Sequence, residues 1–227
     1  MDAYSYIKNA IIEGIYEPGK RLTEEALAKE LNISRTPIRE AIQQLLADGF
    51  IVQLKRGVAV REFTKVDIRQ IYDLRAVLES YAASEAAFRR TETDLIKMKE
   101  ANEAYRKAVE EFIQSKSNNL DFITETNRQF HDAILDAAQN DYLRFHLEKV
   151  IVLPLVFQSF YWYTEQELLR SYDIHNYIYH AIKHQEFERA KTAMREHVYL
   201  ARDHVLKHSD KINNKLSKGG GKSDSNL

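Results

Sequence analysis

The apolar positions of this chain change rhythm near residue 64. Within residues 34–50, Ile38, Ala41, Ile42 and Leu45 recur at i, i+3, i+4 and i+7, which predicts a helix with one buried face. Ser34 or Thr36 can cap its start, and Pro37 lies in the first turn, where a missing N–H costs little. Thr36, Arg39, Gln43 and Gln44 point away from the apolar face, with Arg35 at its edge. Upstream, residues 23–31 predict a shorter helix capped by Thr23, and Leu31, Asn32 and Ile33 form a tight connection. A first helix is expected over 4–16, broken by Glu17, Pro18, Gly19 and Lys20. Downstream, residues 50–54 and 58–61 read as two strands joined by Lys55, Arg56 and Gly57. Helix, short turn, helix and a basic-tipped hairpin make a winged helix-turn-helix.

Beyond Thr64 the strand signals stop. Residues 66–208 predict long amphipathic helices near 66–89, 93–116, 120–139, 142–160, 165–184 and 187–208. Thr64 and Asp67 open the first with a capping-box-like pair, and Pro154 should kink the fourth. The expected fold class is therefore mainly α. A winged helix-turn-helix domain over 1–63 precedes an antiparallel bundle of six to seven helices over 64–208. Residues 209–227, poor in apolar groups and containing three successive glycines, are expected to be a disordered tail.

Composition narrows the function classes. The absence of cysteine removes disulfide frameworks and thiolate metal sites. The first fifteen residues carry polar and acidic groups unlike a signal peptide, and the longest apolar stretch, 150–157, is short and contains Pro154. No membrane partner is expected, and the expected location is cytoplasmic. Net charge is −1 over the 227 residues, and residues 1–63 hold nine basic and nine acidic side chains. Any phosphate contact must come from local clusters, namely Arg35 and Arg39 on one helix and Lys55, Arg56 and Arg61 in the hairpin. A helix N-terminus bearing Arg, Thr and Arg suits the DNA major groove, because it favours phosphate and Arg can grip guanine with two bonds.

The string EALAKELNISRTPIREAIQQLLADGFIVQLKRGVAV resembles the winged helix-turn-helix head of the GntR family of bacterial transcription regulators, over roughly residues 4–63. The resemblance implies that Ser34, Arg35, Thr36 and Arg39 contact operator bases and phosphates, and that Arg56 and Gly57 do so from the wing. Some members carry an extra arginine ahead of the first helix of the motif. Here that segment reads LTEEALA and lacks it.

Chemistry in the bundle centres on histidine. Asn127 and His131 stand at i and i+4 on one predicted helix face, His175 lies midway along the next-to-last helix and His197 lies in the last. Three imidazoles and one oxygen donor from three helices suit a borderline divalent metal, zinc first, with nickel or manganese as the other candidates. His204 and His208 share a face with His197, while His146, His180 and His184 read as surface groups. Residues 72–87, 127–140 and 173–198 resemble the all-helical FCD effector domain of the FadR branch of the GntR family, over about 66–207. That resemblance implies Asn127, His131, His175 and His197 as metal ligands, with Asn127 where many members have Asp. It also implies that Arg75 faces the pocket and holds an acidic effector, whereas a simple pairing of Arg75 with Glu79 at i+4 is the plainer alternative. Among the aromatics at 157 and 160–163, one or two are expected to line the pocket.

The expected function is sequence-specific regulation of transcription, by repression, under control of a small carboxylate metabolite. The expected partner is double-stranded operator DNA carrying an inverted repeat, met by a homodimer. Two alternatives stand beside it. One is a metal-dependent hydrolase or lyase with Glu125 or Asp132 near the histidines. The other is a helical interaction module with structural histidines.

Overall fold

The computed structural model describes residues 2–12, 14–115, 120–150, 160 and 163–214. It divides into two compact units, one built by the described residues before Asp67 together with those from Lys207 on, and the other by the described residues from Asp67 to Leu206.

The first unit contains α1 (Ala3–Ile12), β1 (Arg21–Leu22), α2 (Glu24–Leu31), α3 (Arg35–Ala47), β2 (Ile51–Gln53) and β3 (Val58–Val60). Helix α1 stops short of the expected residue 16. Gly14 takes a φ of +78°, and the Tyr16 N–H reaches back to the Ala10 carbonyl at 2.9 Å. The chain thereby turns early and buries Tyr16. Thr23 caps α2 by accepting the Ala26 N–H, and Asn32 closes the helix in the left-handed region at φ 53°. Ser34 occupies the N-cap position of α3, but its side chain makes no capping bond.

The apolar stripe of α3 is buried as its period requires: Ile38, Ala41, Ile42 and Leu45 join Ile7, Leu27, Phe50 and Ile51 in one core. The hairpin has gained a strand. β1 pairs antiparallel with β3, so the sheet order is β1-β3-β2 rather than a bare two-stranded wing. Two residues satisfy that extra edge, too few to leave a period in the sequence.

The second unit takes in all but the first two residues of α4 (Lys65–Arg89), then α5 (Glu92–Ser115), α6 (Asp121–Ala138), α7 (Asp141–Val150), α8 (Glu165–Lys183), and α9 (Phe187–Asn214) as far as Leu206. Capping boxes start two of them. Thr91 and Asp94 exchange bonds ahead of α5, and Thr164 and Glu167 do so at α8. Gln139 and Gln185, at φ 51° and 58°, turn the chain between helices. Helix α5 packs on α6 and α8. A run of small side chains on α4 (Ala76, Ala82, Ala83, Ala86, Ala87) is fully buried, which lets neighbouring backbones approach closely.

Of the fourth bundle helix, expected over 142–160, α7 accounts for Asp141–Val150, and the Pro154 kink lies outside the described residues. Helix α9 continues to Asn214, six residues past the expected end at 208, because 209–214 contain neither Gly nor Pro to stop it. The rest of the expected tail lies outside the described residues. Among the described residues, no helix is long and apolar enough to cross a membrane.

Candidate functional site

The exposed end of α3 carries the first candidate surface. Ser34, Arg35, Thr36 and Arg39 all lie exposed on its N-terminal turns, as the helical period dictates. At the hairpin tip, Lys55, Arg56 and Gly57 are also exposed. The turn is held by the Leu54 N–H donating to the Gly57 carbonyl at 3.0 Å and by the Gln53 amide donating to the same carbonyl at 2.9 Å. Gly57 has a φ of +76°, and a Cβ there would sit 3.2 Å from the Leu22 carbonyl, so both backbone angle and space favour glycine. Neither arginine on this face of α3 stands alone. Arg39 Nε donates to Glu24 at 2.7 Å, and Arg35 faces Glu25 at 3.4 Å. The acids come from α2, and the helical period of α3 gives no hint of them.

The second candidate is inside the helical unit. His131 on α6, His175 on α8 and His197 on α9 each stand on or beside the buried stripe of their helix. His175 shares its stripe with Leu168, Ile178 and Ile182, and His197 shares its stripe with Ala190, Met194 and Val198. Packing of those stripes brings the three rings together. His197 Nε2 lies 3.3 Å from His175 Nε2 and 3.2 Å from His131 Nε2, and the three ligand atoms lie within 4.8 Å of one another.

The far sides of two rings are occupied. His131 Nδ1 lies 2.8 Å from Glu79, and His175 Nδ1 lies 3.2 Å from the Asn102 carbonyl oxygen. Asn102 is itself fixed by donating its amide to Asn176 at 2.9 Å. A neutral ring whose Nδ1–H is donated outward has a lone pair on Nε2. The buried His175 ring, whose Nδ1 meets the Asn102 oxygen, therefore turns its Nε2 lone pair toward His197 Nε2. A cation placed among the three Nε2 atoms could be held by all of them. The two short edges match the separation of about 3.3 Å between nitrogens bound at about 2.05 Å around a tetrahedral zinc. The donor set therefore fits a divalent metal.

Burial explains the electrostatics around the triad. It pushes His175 well below its ordinary value, helped by the charges of His197 and His131. It likewise lowers His197, to about 3, with His131 contributing next. Both rings are thus neutral, the form that ligates. Phe130 stacks on His175 at 4.1 Å and Tyr105 tilts against it at 5.1 Å, which holds the ring in place.

Arg75, the expected effector contact, is buried on α4. It donates to Glu79 at 2.9 Å and lies over the Tyr72 ring at 4.7 Å. The i+4 pairing with Glu79 is present, but it is internal and continues to His131. Burial opposes the Glu79 charge, yet Arg75 and then His131 outweigh it and hold the carboxyl at about 2. Glu79 as a partner of His131, and Asn102 as a partner of His175, had no sequence signal, because each pairing joins distant helices.

A cavity of about 90 Å³ opens beside His197, lined among others by His204, Tyr163, Glu167, Arg170 and Ser171. Tyr163, from the aromatic run, lies tilted against His204 at 4.1 Å, and His204 Nδ1 is 3.3 Å from Glu167. The charge of Arg75 acts on both Tyr163 and His197, although Arg75 does not line the cavity. Asn127 stands one turn ahead of His131, half-buried. His146, His180 and His184 are exposed, as surface histidines should be. Glu125 and Asp132, the acids considered for an enzyme, are both bound to Arg128 at 2.6 and 2.5 Å.

Comparison with known proteins adds an independent line. Residues 1–61 match the family described as bacterial regulatory proteins, gntR family, and residues 70–200 match the FCD domain. The HTH-type transcriptional regulator YdhC of Bacillus subtilis, itself described as uncharacterized, is 30% identical over 210 residues, covering 90% of this chain and 88% of its own. The HTH-type transcriptional repressor GlaR of Escherichia coli is 26% identical, covering 87% and 91%. Among solved structures, E. coli McbR/YncC superposes with a TM-score of 0.68 at 22% identity, over 95% of this chain and 97% of that one, which is a likeness of fold. These families and relatives are transcription regulators, not enzymes.

Proposed function

The chain belongs to the GntR family of bacterial transcription regulators and carries an FCD domain, and from that premise we propose that it is a repressor released from its operator by a small carboxylate bound at a divalent metal in the helical unit. The observation that carries the effector half is the convergence of His131, His175 and His197, with Glu79 and Asn102 behind two of them. Asn127 completes the ligand set one turn ahead of His131. It supplies a neutral oxygen where a carboxylate would add charge, so the site retains more net positive charge for an anionic effector. Zinc suits three imidazole donors, with nickel or manganese as alternatives.

A bound divalent metal with an open position supplies a Lewis-acid anchor for a carboxylate. The cavity beside His197 is the route to it. Arg170 and Ser171 line that cavity, while the Arg75 charge is offset at His197 by that of its partner Glu79. In the first unit, Ser34, Arg35, Thr36 and Arg39 meet the major groove, and Arg56 and Gly57 secure the wing. A homodimer in the cytoplasm reads an inverted repeat, one half-site per head. Repression is supported by the E. coli relative's name as a repressor. Ligand control is allosteric here only if the acid distinguishes the DNA-bound state from the free one.

The test uses the full chain and the duplex it enriches from fragmented genomic DNA. Protein stripped with a chelator and protein reloaded with zinc are each titrated with a panel of small mono-, di- and tricarboxylates. One acid should release the duplex from the zinc-loaded protein alone. Release of equal extent from the stripped protein, or by no acid in either form, contradicts the proposal.

A further inference from the structure

The two arginines on the exposed face of α3 are held differently. Arg39 Nε donates to Glu24 Oε2 at 2.7 Å, with the Glu24 side chain 36% exposed against 61% for Arg39. Arg35 approaches Glu25 only to 3.4 Å, through Nη2, and Glu25 is 84% exposed. The first contact is a charge-assisted hydrogen bond; the second is a loose ion pair that a phosphate can displace.

Glu24 is also well founded. It is the first residue of α2, directly behind the Thr23 cap, whose Oγ1 accepts the Ala26 N–H at 3.2 Å. Its backbone is therefore fixed at the start of α2, which packs on α3, and its carboxylate offers Arg39 a partner held in place. A guanidinium carries five N–H donors in a planar fork. With Nε turned to Glu24, the edge formed by the two terminal amino groups remains for another partner. That is the edge that meets guanine O6 and N7 side by side.

We propose that Glu24 is a positioning residue for base readout. It holds the Arg39 guanidinium by Nε, aims its terminal edge into the groove, and limits the orientations the free side chain would otherwise sample. The proposal rests on the assignment of α3 as the recognition helix and deepens it. It has a consequence that a merely structural acid lacks. A carboxylate on a DNA-binding face repels phosphate, so Glu24 weakens binding to any duplex while it sharpens the choice among duplexes. Removing its charge should move those two quantities in opposite directions.

The experiment selects full-length wild type, Glu24→Gln, Arg39→Ala and the double variant against a pool of duplexes randomised over about 20 base pairs, enough for two half-sites one helical turn apart. The recovered sequences give the base preference at each position. Anisotropy with poly(dI-dC) gives the sequence-independent affinity. Arg39→Ala should erase the preference at one position of each half-site. Glu24→Gln should lower the preference at that same position by about three- to tenfold, part of what a two-bond contact to guanine supplies, and leave other positions unchanged. It should also raise the poly(dI-dC) affinity by about twofold, as expected when one repulsive charge is removed from a polyanion-binding face. In the Arg39→Ala background, Glu24→Gln should change no base preference.

Circular dichroism of Glu24→Gln checks that the variant is folded, which its position on the surface favours. A Glu24→Asp variant, with the charge kept on a shorter arm, should retain the low poly(dI-dC) affinity but lose part of the preference. Wild-type preference at the Arg39 position in Glu24→Gln overturns the proposal. So does an equal loss at every position. If Arg39→Ala itself erases no position, the recognition-helix assignment falls first, and Glu24 with it.

Discussion

Glu79→Gln removes one charge from a buried ion pair while keeping the side chain's shape. The carboxylate is 3% exposed, accepts Arg75 Nε at 2.9 Å and lies 2.8 Å from His131 Nδ1. Burial alone would raise its carboxyl, but Arg75 and His131 bring it from the ordinary 4.5 to about 2. At 1.36 kcal/mol per unit, that depression corresponds to about 3 kcal/mol of native-state stabilisation. Removing one member of a buried pair costs about 3–5 kcal/mol by the separate measure of mutational experience. Both routes give a large fraction of a typical stability of about 5–15 kcal/mol, so the variant should fold with a clearly lowered midpoint.

The assay is urea unfolding of chelator-treated protein, wild type against variant. The pH dependence supplies a signature. The folded carboxyl is depressed, so its contribution is full above about pH 4.5 and is lost as pH falls toward 2. Glutamine has no such loss, and the gap between the two proteins should close over that interval. Zinc affinity gives the second readout. With the carboxylate behind His131 neutralised, affinity should fall about 10- to 100-fold, toward the low end because an amide oxygen still accepts the Nδ1–H. A variant within about 0.5 kcal/mol of wild type at neutral pH, a change typical of inert surface substitutions, and with wild-type zinc affinity, would refute the reasoning.

Three further outcomes are expected. Arg39→Ala should weaken binding to the selected operator by roughly 1–3 kcal/mol, measured by anisotropy, and an unchanged affinity contradicts its role in readout. Asn127→Asp should tighten zinc binding in a competition with a colorimetric chelator, because it adds a charged donor; a weaker site means that Asn127 is not a ligand. The metal-free protein should lose stability as pH falls below about 6.5 toward 3. His175 and His197 stay neutral in the folded state, mainly through burial, while the unfolded rings take up protons near their ordinary 6.5. Urea midpoints that stay flat between pH 7.5 and 5, across the range where free imidazole titrates at about 6.5, would contradict that assignment.

Much of the first unit was legible because α3 follows one period strictly. Its apolar positions, its exposed arginines and the turn at Asn32 all follow from helical repeat and backbone preference. β1 was not legible, because two residues have no repeat and owe their conformation to pairing with Ala59 and Val58. The early end of α1 was signalled by Gly14, a weaker mark than the Pro-Gly pair that followed it.

In the helical unit, the Asn127 and His131 spacing was visible within one helix, and His175 and His197 were visible as members of two others. The meeting of the three histidines at 3.2 and 3.3 Å is a product of packing. Glu79 shows the limit most clearly. Its i+4 link to Arg75 is written in the local sequence, while its contact with His131 depends on how α4 lies against α6. Arg39 and Glu24, fifteen residues apart on two helices, are a smaller case of the same kind.

The most direct test of the metal-centred account is the zinc content of the protein after dialysis against trace zinc, measured by mass spectrometry for wild type and for His131→Ala, His175→Ala and His197→Ala. The account predicts one zinc per wild-type chain and little or none in each variant, with operator binding by the first unit still measurable in all of them. Full occupancy in any of the three variants, or no zinc retained by the wild type, would contradict it.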